Sequence, residues 1–468
     1  MSLARSFSPE PRRPIDITAF QAGISGSVIT PDDPGYDAAR QVHNTVFDRY
    51  PALIVRAAGS ADVALTVAFA RDAGLELSVR GGAHSMAGHG TNDGGVVLDL
   101  GAMKGLHIDP DRRMAWAQAG LTAGEYTAAA AAHGLATPFG DVGSVGIAGL
   151  TLGGGIGWLV RKHGLTIDAL VSVDIVTADG HLINASEDEH QDLFWAIRGG
   201  GGNFGVVTRF QFKLYPVDTV LGGALFMPLT RDTLRALVPL ATAAPAELTT
   251  ISFIMPAPAA PFIPAEAVGK PTLGIMFVYE GDPEAGQAAL APLRAVATPI
   301  ADLAMPMPYP AIYEFTKDAS NSGNEIIRSA FLEILDDAAV DAILAAMTDP
   351  SSPMSMFQIR VLGGAMAQVG ISATAFAHRH APIMVAALAL FDDLATAPVH
   401  IAWADALLAA LRPNAIGVYS NFIGDEGSGR LHEAYPGLTY ERLAQVKRRY
   451  DPSNLFHHNQ NIPPAAEA

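Results

Sequence analysis

Arg80-Gly81-Gly82-Ala83-His84-Ser85-Met86-Ala87-Gly88-His89-Gly90 places four glycines among eleven residues, between two short apolar runs, Leu77-Ser78-Val79 and Val96-Val97-Leu98-Asp99-Leu100. Both runs read as strands, so the glycines mark a tight turn between them. Glycine reaches positive φ and lets a backbone N–H approach an anion with no Cβ in the way. Successive N–H groups in such a turn make an anion-binding nest. A turn with no ligand fits this stretch equally well, so the choice depends on the rest of the chain.

Upstream, residues 1–45 read as an irregular lead-in with a turn at Pro31-Asp32-Asp33-Pro34-Gly35. Ala52–Ala58 reads as a buried strand, and Ser60 as the N-cap of a helix over Ala61–Ala73 that Gly74 closes. Downstream come β-like segments from Ile108 to Gln118 and an alanine-rich helix over Thr122–His133. Gly140–Gly157 then holds eight glycines in eighteen residues. Each would cost a helix or strand interior about 0.5–1 kcal/mol relative to alanine. The expectation is a backbone lying against something flat and large. Leu170–Ala178, a turn at Asp179-Gly180 and His181–Ile183 read as a hairpin. A helix over Glu189–Arg198, the run Gly199–Gly202 with Gly205, and a strand over Val206–Leu214 follow.

Near Val220 the texture changes. Glycine clusters give way to strand candidates at Gly222–Met227, Thr250–Met255, Thr272–Tyr279, Met354–Val361 and Ile383–Leu390. Helix candidates are Thr230–Ala243, Pro283–Val296, Ala338–Met347 and Val399–Leu411. The pattern predicts a second α+β unit, a sheet covered by helices. Short motifs return after Ile416, in Tyr419-Ser420-Asn421 and in Tyr450-Asp451-Pro452 through Asn459-Gln460.

Composition narrows the function classes. With 468 residues the chain exceeds one compact core. Thirty basic against 47 acidic residues give a net charge of −17, which argues against a nucleic-acid partner. There is no cysteine, hence no disulfide, thiolate metal site or cysteine nucleophile. Met1–Pro14 lacks an apolar signal core, and apolar stretches such as Ala381–Phe391 are short for a bilayer. The expectation is a cytoplasmic protein with no membrane partner; the oligomeric state stays open.

Gly200-Gly201-Gly202-Asn203-Phe204-Gly205 matches G-x-G-x-x-G, but a helix precedes it and β-rich sequence follows, the reverse of a dinucleotide fingerprint. No phosphate-binding G-x-x-x-x-G-K-[ST], no G-x-S-x-G nucleophile elbow and no metal-ligand spacing occurs among the histidines.

The segments Arg80–Ser85, Gly149–Leu159, Asp192–Val207 and Arg449–Gln460 together resemble the bacterial berberine-bridge-enzyme-like branch of the vanillyl-alcohol-oxidase flavoproteins. The resemblance implies an α+β fold: a two-part FAD-binding domain of the PCMH type over residues 1–218 and 416–468, with a substrate domain over 219–415 inserted between. It implies that Arg80, Gly81, Gly82, Ala83 and Ser85 hold the pyrophosphate and that His84 is joined to the 8α-methyl of the flavin. Val142 stands where some relatives carry a cysteinyl second link, so attachment here is single. Val145 is the position at which valine goes with dioxygen access. The same resemblance assigns Gly146, Gly149, Leu150, Gly153, Gly154, Gly155, Gly157, Gly205, Val206, Asn421 and Asn459 to the cofactor. Tyr419 is the base or the hydrogen-bond partner of the substrate, and its phenol must be shifted down from about 10 to act as a base near neutral pH. The implied activity is an oxidase taking a hydride from a C–H beside an alcohol and returning electrons to dioxygen as hydrogen peroxide. The alternatives are amine oxidation of the 6-hydroxynicotine-oxidase kind and a dehydrogenase using another acceptor. No metal is implied.

Overall fold

The computed structural model describes residues 17–466; Met1–Pro14 lies outside them. The lead-in is more regular than expected. Thr18–Gly23 is helical, and β1 (Ser27–Ile29) pairs antiparallel with β2 (Leu53–Arg56). Helix α1 (Ser60–Ala73) follows, then β3 (Leu77–Arg80) and β4 (Val96–Asp99), and the parallel strands run in the order β2-β4-β3. Helix α1 begins one residue earlier than expected, with Gly59 at the N-cap. The Asp62 side chain instead ties the preceding chain to the start of the helix: its buried carboxylate accepts the N–H groups of Ser25, Gly26 and Ala58 at 2.8–2.9 Å. Gly74, at φ 62°, closes the helix as read.

A second, antiparallel sheet contains β5 (Leu106–Asp109), β6 (Met114–Gln118), β7 (Leu170–Val176), β8 (Leu182–Ser186) and β9 (Val206–Lys213), in the order β5-β6-β9-β7-β8. Helix α2 (Ala123–Ala131) carries a Thr122/Glu125 capping box. Helix α3 (Ile147–Gly153) starts inside the glycine-rich segment, and α4 is Gln191–Ile197. One hydrophobic core joins residues 53–214 to residues 418–462.

The large antiparallel sheet uses β10 (Thr219–Pro228), β11 (Leu248–Pro256), β12 (Pro271–Tyr279), β13 (Asn324–Leu332), β14 (Met356–Val361), β15 (Ile383–Phe391) and β16 (Ala415–Gly417), in the order β10-β12-β11-β14-β15-β13-β16. Helices α5 (Arg231–Ala243), α6 (Pro283–Arg294), α7 (Asp337–Thr348) and α8 (Ala397–Leu411) cover one face. Leu273, Ile275, Phe277, Phe357, Ile359 and Val385 fill the core beneath them. With its flanking turns, α8 forms a 21-residue run, Leu394–Asn414, whose most apolar 18-residue window has a mean hydropathy of 1.5. By length and composition alone that is enough to cross a bilayer, which corrects the sequence reading. In the fold its Ala404, Leu407 and Leu411 belong to the core under the sheet.

Strand register decides what the other face presents. Alternate residues share a face. Phe253 pairs with Gln358, Ile251 with Arg360, Met356 with Leu388 and Glu325 with Leu390. Phe253, Met255, Met276, Met356, Gln358, Arg360, Leu388, Leu390 and Glu325 therefore form one surface, turned towards the glycine-rich turns. The last helix, α9 (Leu438–Tyr450), leads into the C-terminal return.

Candidate active site

Between the roof formed by that sheet face and the glycine-rich turns lies a cavity of about 840 Å³. Its floor begins at the turn after β3. Ala83 sits at φ 61°, a left-handed conformation uncommon for a residue with a Cβ. The N–H groups of Gly82, Ala83, His84 and Ser85 have no acceptor among the described residues. Gly82 and Gly146 abut: a Cβ on Gly82 would come within 2.3 Å of the Gly146 nitrogen. Only glycine at both positions lets the two turns close on each other.

Gly81, Gly82, Ala83, His84, Ser85, Val145, Gly146, Gly149, Leu150, Gly205, Val206, Tyr419, Asn421 and Asn459 all line the cavity. Five assignments need correction. Arg80 reaches the wall, but its guanidinium is paired with the Asp99 carboxylate at 2.9 Å and donates to the Gln41 carbonyl. That carboxylate offsets its charge, so the turn's N–H groups are, among the described residues, the unpaired donors nearest the cavity. Gly153, Gly154, Gly155 and Gly157 do not line the cavity. They let the chain pack on itself: a Cβ there would meet Asn421 at 2.2 Å, Phe376 at 2.8 Å, Thr166 at 2.0 Å and the Phe139 carbonyl at 1.8 Å, in that order. For these four glycines of the Gly140–Gly157 run the close partner is protein, whereas Gly140, Gly146 and Gly149 face the cavity.

His84 stacks on His43 with ring centroids 4.0 Å apart, and its Nε2 lies 2.9 Å from Ser144 Oγ. Burial, and secondarily His43, lower its pKa to about 3. The imidazole is therefore neutral at any physiological pH and keeps a lone pair for nucleophilic attack.

Tyr419 lies buried beside Phe331 and Phe376. Its Oη accepts hydrogen bonds from Gly155 N and Asn421 Nδ2, both at 2.9 Å. These donors and the Arg360 charge favour the phenolate, yet desolvation outweighs them and the phenol is pushed up to about 12. The downward shift that a base at neutral pH requires is absent.

Several cavity residues went unread in the sequence. Arg360 holds Asp141 through two parallel 2.9 Å bonds and takes the Gln358 side chain at 2.8 Å. The polar residues at alternate positions of the apolar strand β14 were the available signal. Ser144 and His43 carried none.

The FAD cofactor that such turns imply can be tested against these groups. Four unbonded N–H donors in a turn fit a pyrophosphate, and a neutral histidine at the same turn fits attachment. Asn459 adds a buried Oδ1 at the cavity wall that has no partner among the described residues. The residues present fit the group.

The family profile described as FAD binding domain matches residues 51–186, and the one described as berberine and berberine like matches residues 418–463. (R)-6-hydroxynicotine oxidase of Paenarthrobacter nicotinovorans is 32% identical over 462 residues, 95% of this chain and 98% of that protein. This chain is a berberine-bridge-enzyme-like FAD-linked oxidoreductase. The crystal structure of 6-hydroxy-D-nicotine oxidase from Arthrobacter nicotinovorans superposes with a TM-score of 0.83 at 29% identity, covering 94% of this chain and 98% of that one. Glucooligosaccharide oxidase of Sarocladium strictum is 37% identical, but over 41% of this chain and 38% of that enzyme. The berberine-bridge-like chain thus has the α+β, vanillyl-alcohol-oxidase-type fold, with an FAD-binding part and a helix-covered antiparallel sheet.

Proposed function

We propose that this oxidoreductase removes a hydride from a carbon bearing nitrogen in a small, largely apolar substrate, with FAD tethered through His84 and dioxygen as the electron acceptor. A bound isoalloxazine supplies the hydride-accepting site and hands two electrons on to dioxygen.

The observation that carries the reading is Tyr419. An alcohol must shed its hydroxyl proton as the hydride leaves, and a phenol pushed up to about 12 is a poor proton acceptor near neutral pH. A neutral amine brings its own lone pair and needs no base. Tyr419 then keeps its proton and donates it as a hydrogen bond, while Asn421 and Gly155 hold its oxygen in place. The apolar roof of Phe253, Met255, Met276, Met356, Leu388 and Leu390 suits such a substrate better than a sugar, which calls for many side-chain hydrogen bonds. The likeness to (R)-6-hydroxynicotine oxidase over 95% of this chain supports the same order, since the likeness in sequence to glucooligosaccharide oxidase covers 41% of it. Alcohol oxidation is the second reading, favoured by the two N–H donors on Tyr419 Oη.

For attachment, the tautomer in which His84 Nε2–H donates a hydrogen bond to Ser144 Oγ would leave the Nδ1 lone pair for the 8α carbon. Val145 lines the cavity wall, where its short side chain would favour access of dioxygen.

The test is a panel of secondary and tertiary amines, benzylic alcohols and oligosaccharides, assayed for hydrogen peroxide in air. Peroxide release with amines and not with sugars is expected. Turnover confined to sugars, or substrate reduction with no reoxidation by air, contradicts the proposal.

A further inference from the structure

The geometry points to Glu325 as an anionic subsite that takes a cationic or N–H-donating group at the end of the substrate remote from Tyr419. Glu325 lies on β13, is 9% exposed and lines the cavity. Its carboxylate has no hydrogen bond and no ion pair among the described residues. Its backbone, by contrast, is held on both sides by Asn44, whose Nδ2 donates to the Glu325 carbonyl at 2.9 Å and whose Oδ1 accepts the Glu325 N–H at 3.2 Å. The residue is thus fixed in position while its charged end is left open.

A carboxylate so deeply buried and unpaired is costly, and burial alone raises its pKa from 4.5 to about 7. Nothing in the packing compensates. Its strand neighbour across the register is Leu390, and Met354 lines the same cavity. A group that donates to Glu325 must therefore come with a ligand, and an ammonium, amidinium or ring N–H⁺ matches a carboxylate both in charge and in hydrogen bonding.

Position sets the ligand's shape. Glu325 is six residues from Phe331 on the same strand, about 20 Å of extended chain. The Phe331 ring lies 6.4 Å from that of Tyr419. The two polar points thus sit near opposite ends of an apolar roof, which describes an elongated substrate with its reacting carbon at one end and a positive group at the other. This inference rests on the reading that the substrate reacts at the Tyr419 end.

The experiment uses the holoenzyme and reads binding, not turnover. ω-Phenylalkylamines with three to six methylenes, and the alcohols of equal length, are titrated at pH 8 while the flavin absorption spectrum is followed. At one or more lengths the amine is expected to bind about tenfold or more tightly than its alcohol. Glu325→Gln, close in shape, is expected to abolish the preference, and Glu325→Asp to keep part of it. Equal affinity for amine and alcohol at every length, or a preference that survives in the Gln variant, overturns the subsite. Should the Gln variant fail to retain flavin, the wild-type and Asp titrations still decide the matter. Selective binding without peroxide release would leave the subsite standing and sink the oxidase reading; peroxide release without selective binding would do the reverse.

Discussion

Tyr419→Phe is expected to lower kcat about 10–100-fold, because one oriented hydrogen bond to the reacting group is lost. The same change leaves the buried Gly155 N–H without its acceptor, whereas Asn421 Nδ2 keeps the Gly149 and Leu150 carbonyls. An orphaned donor costs about 1–3 kcal/mol, so the thermal midpoint of the apoprotein should fall as well. The pH profile separates the two roles Tyr419 can play. As a proton donor it stays protonated throughout the working range, and the wild-type kcat for an amine held as its free base is flat from pH 7 to 9.5. A base with a pKa of about 12 gains phenolate as pH rises, so the rate would climb about tenfold per unit over that range. Steady-state kinetics across that range on wild type and variant distinguish them: a tenfold-per-unit rise present in wild type and absent in Phe would restore Tyr419 as the base and with it the alcohol reading.

The second large effect lies at the C-terminal return. Lys447 and Asp451 are both fully buried and paired at 2.7 Å. Lys447 Nζ also donates to the carbonyls of Asn203 and Phe456, and the Asp451 carboxylate accepts the N–H groups of Leu455 and Phe456 at 2.8 Å. This knot ties α9, the 200–205 glycine loop and the strand of chain carrying His458 and Asn459 to the cavity wall. Burial lowers the Lys447 pKa and Asp451 opposes the shift. Asp451→Ala leaves an uncompensated buried ammonium, at a cost of about 3–5 kcal/mol. Urea denaturation should show that loss, together with weaker retention of non-covalently bound FAD in a His84→Ala background. Replacing both partners, Lys447→Met with Asp451→Leu, should recover part of the stability, since no lone charge remains. Equal stability of Asp451→Ala and wild type would mean the pair holds nothing together.

The fold was legible wherever periodicity and punctuation agreed. Helix α1 between Gly59 and Gly74, the alternating strands β11 and β12, and the α5 and α6 segments all fell within a few residues of the reading. Strand β13 was missed: Asn324, Glu325 and Arg328 interrupt its apolar run, and their polarity makes sense only once Glu325 faces a cavity and Asn324 an edge. The motif around His84 placed the turn correctly because the close approach of Gly82 to Gly146 demands glycine at fixed positions. The later glycines of Gly153–Gly157 carry the same letters for another reason, contact with Asn421, Phe376, Thr166 and Phe139, which spacing alone does not reveal. Arg80 was misread because its partner, Asp99, lies on a neighbouring parallel strand, nineteen residues away. Tyr419 was found through its motif, but the balance between desolvation and two donated hydrogen bonds belongs to the folded state.

Acid precipitation of the holoprotein puts the central claim to its most direct test. If the neutral His84 imidazole is joined to FAD, the wild-type pellet stays yellow, the denatured chain is heavier by one FAD, and His84→Ala releases its flavin to the supernatant. A colourless wild-type pellet above a yellow supernatant would contradict the tether on which this account of the site is built.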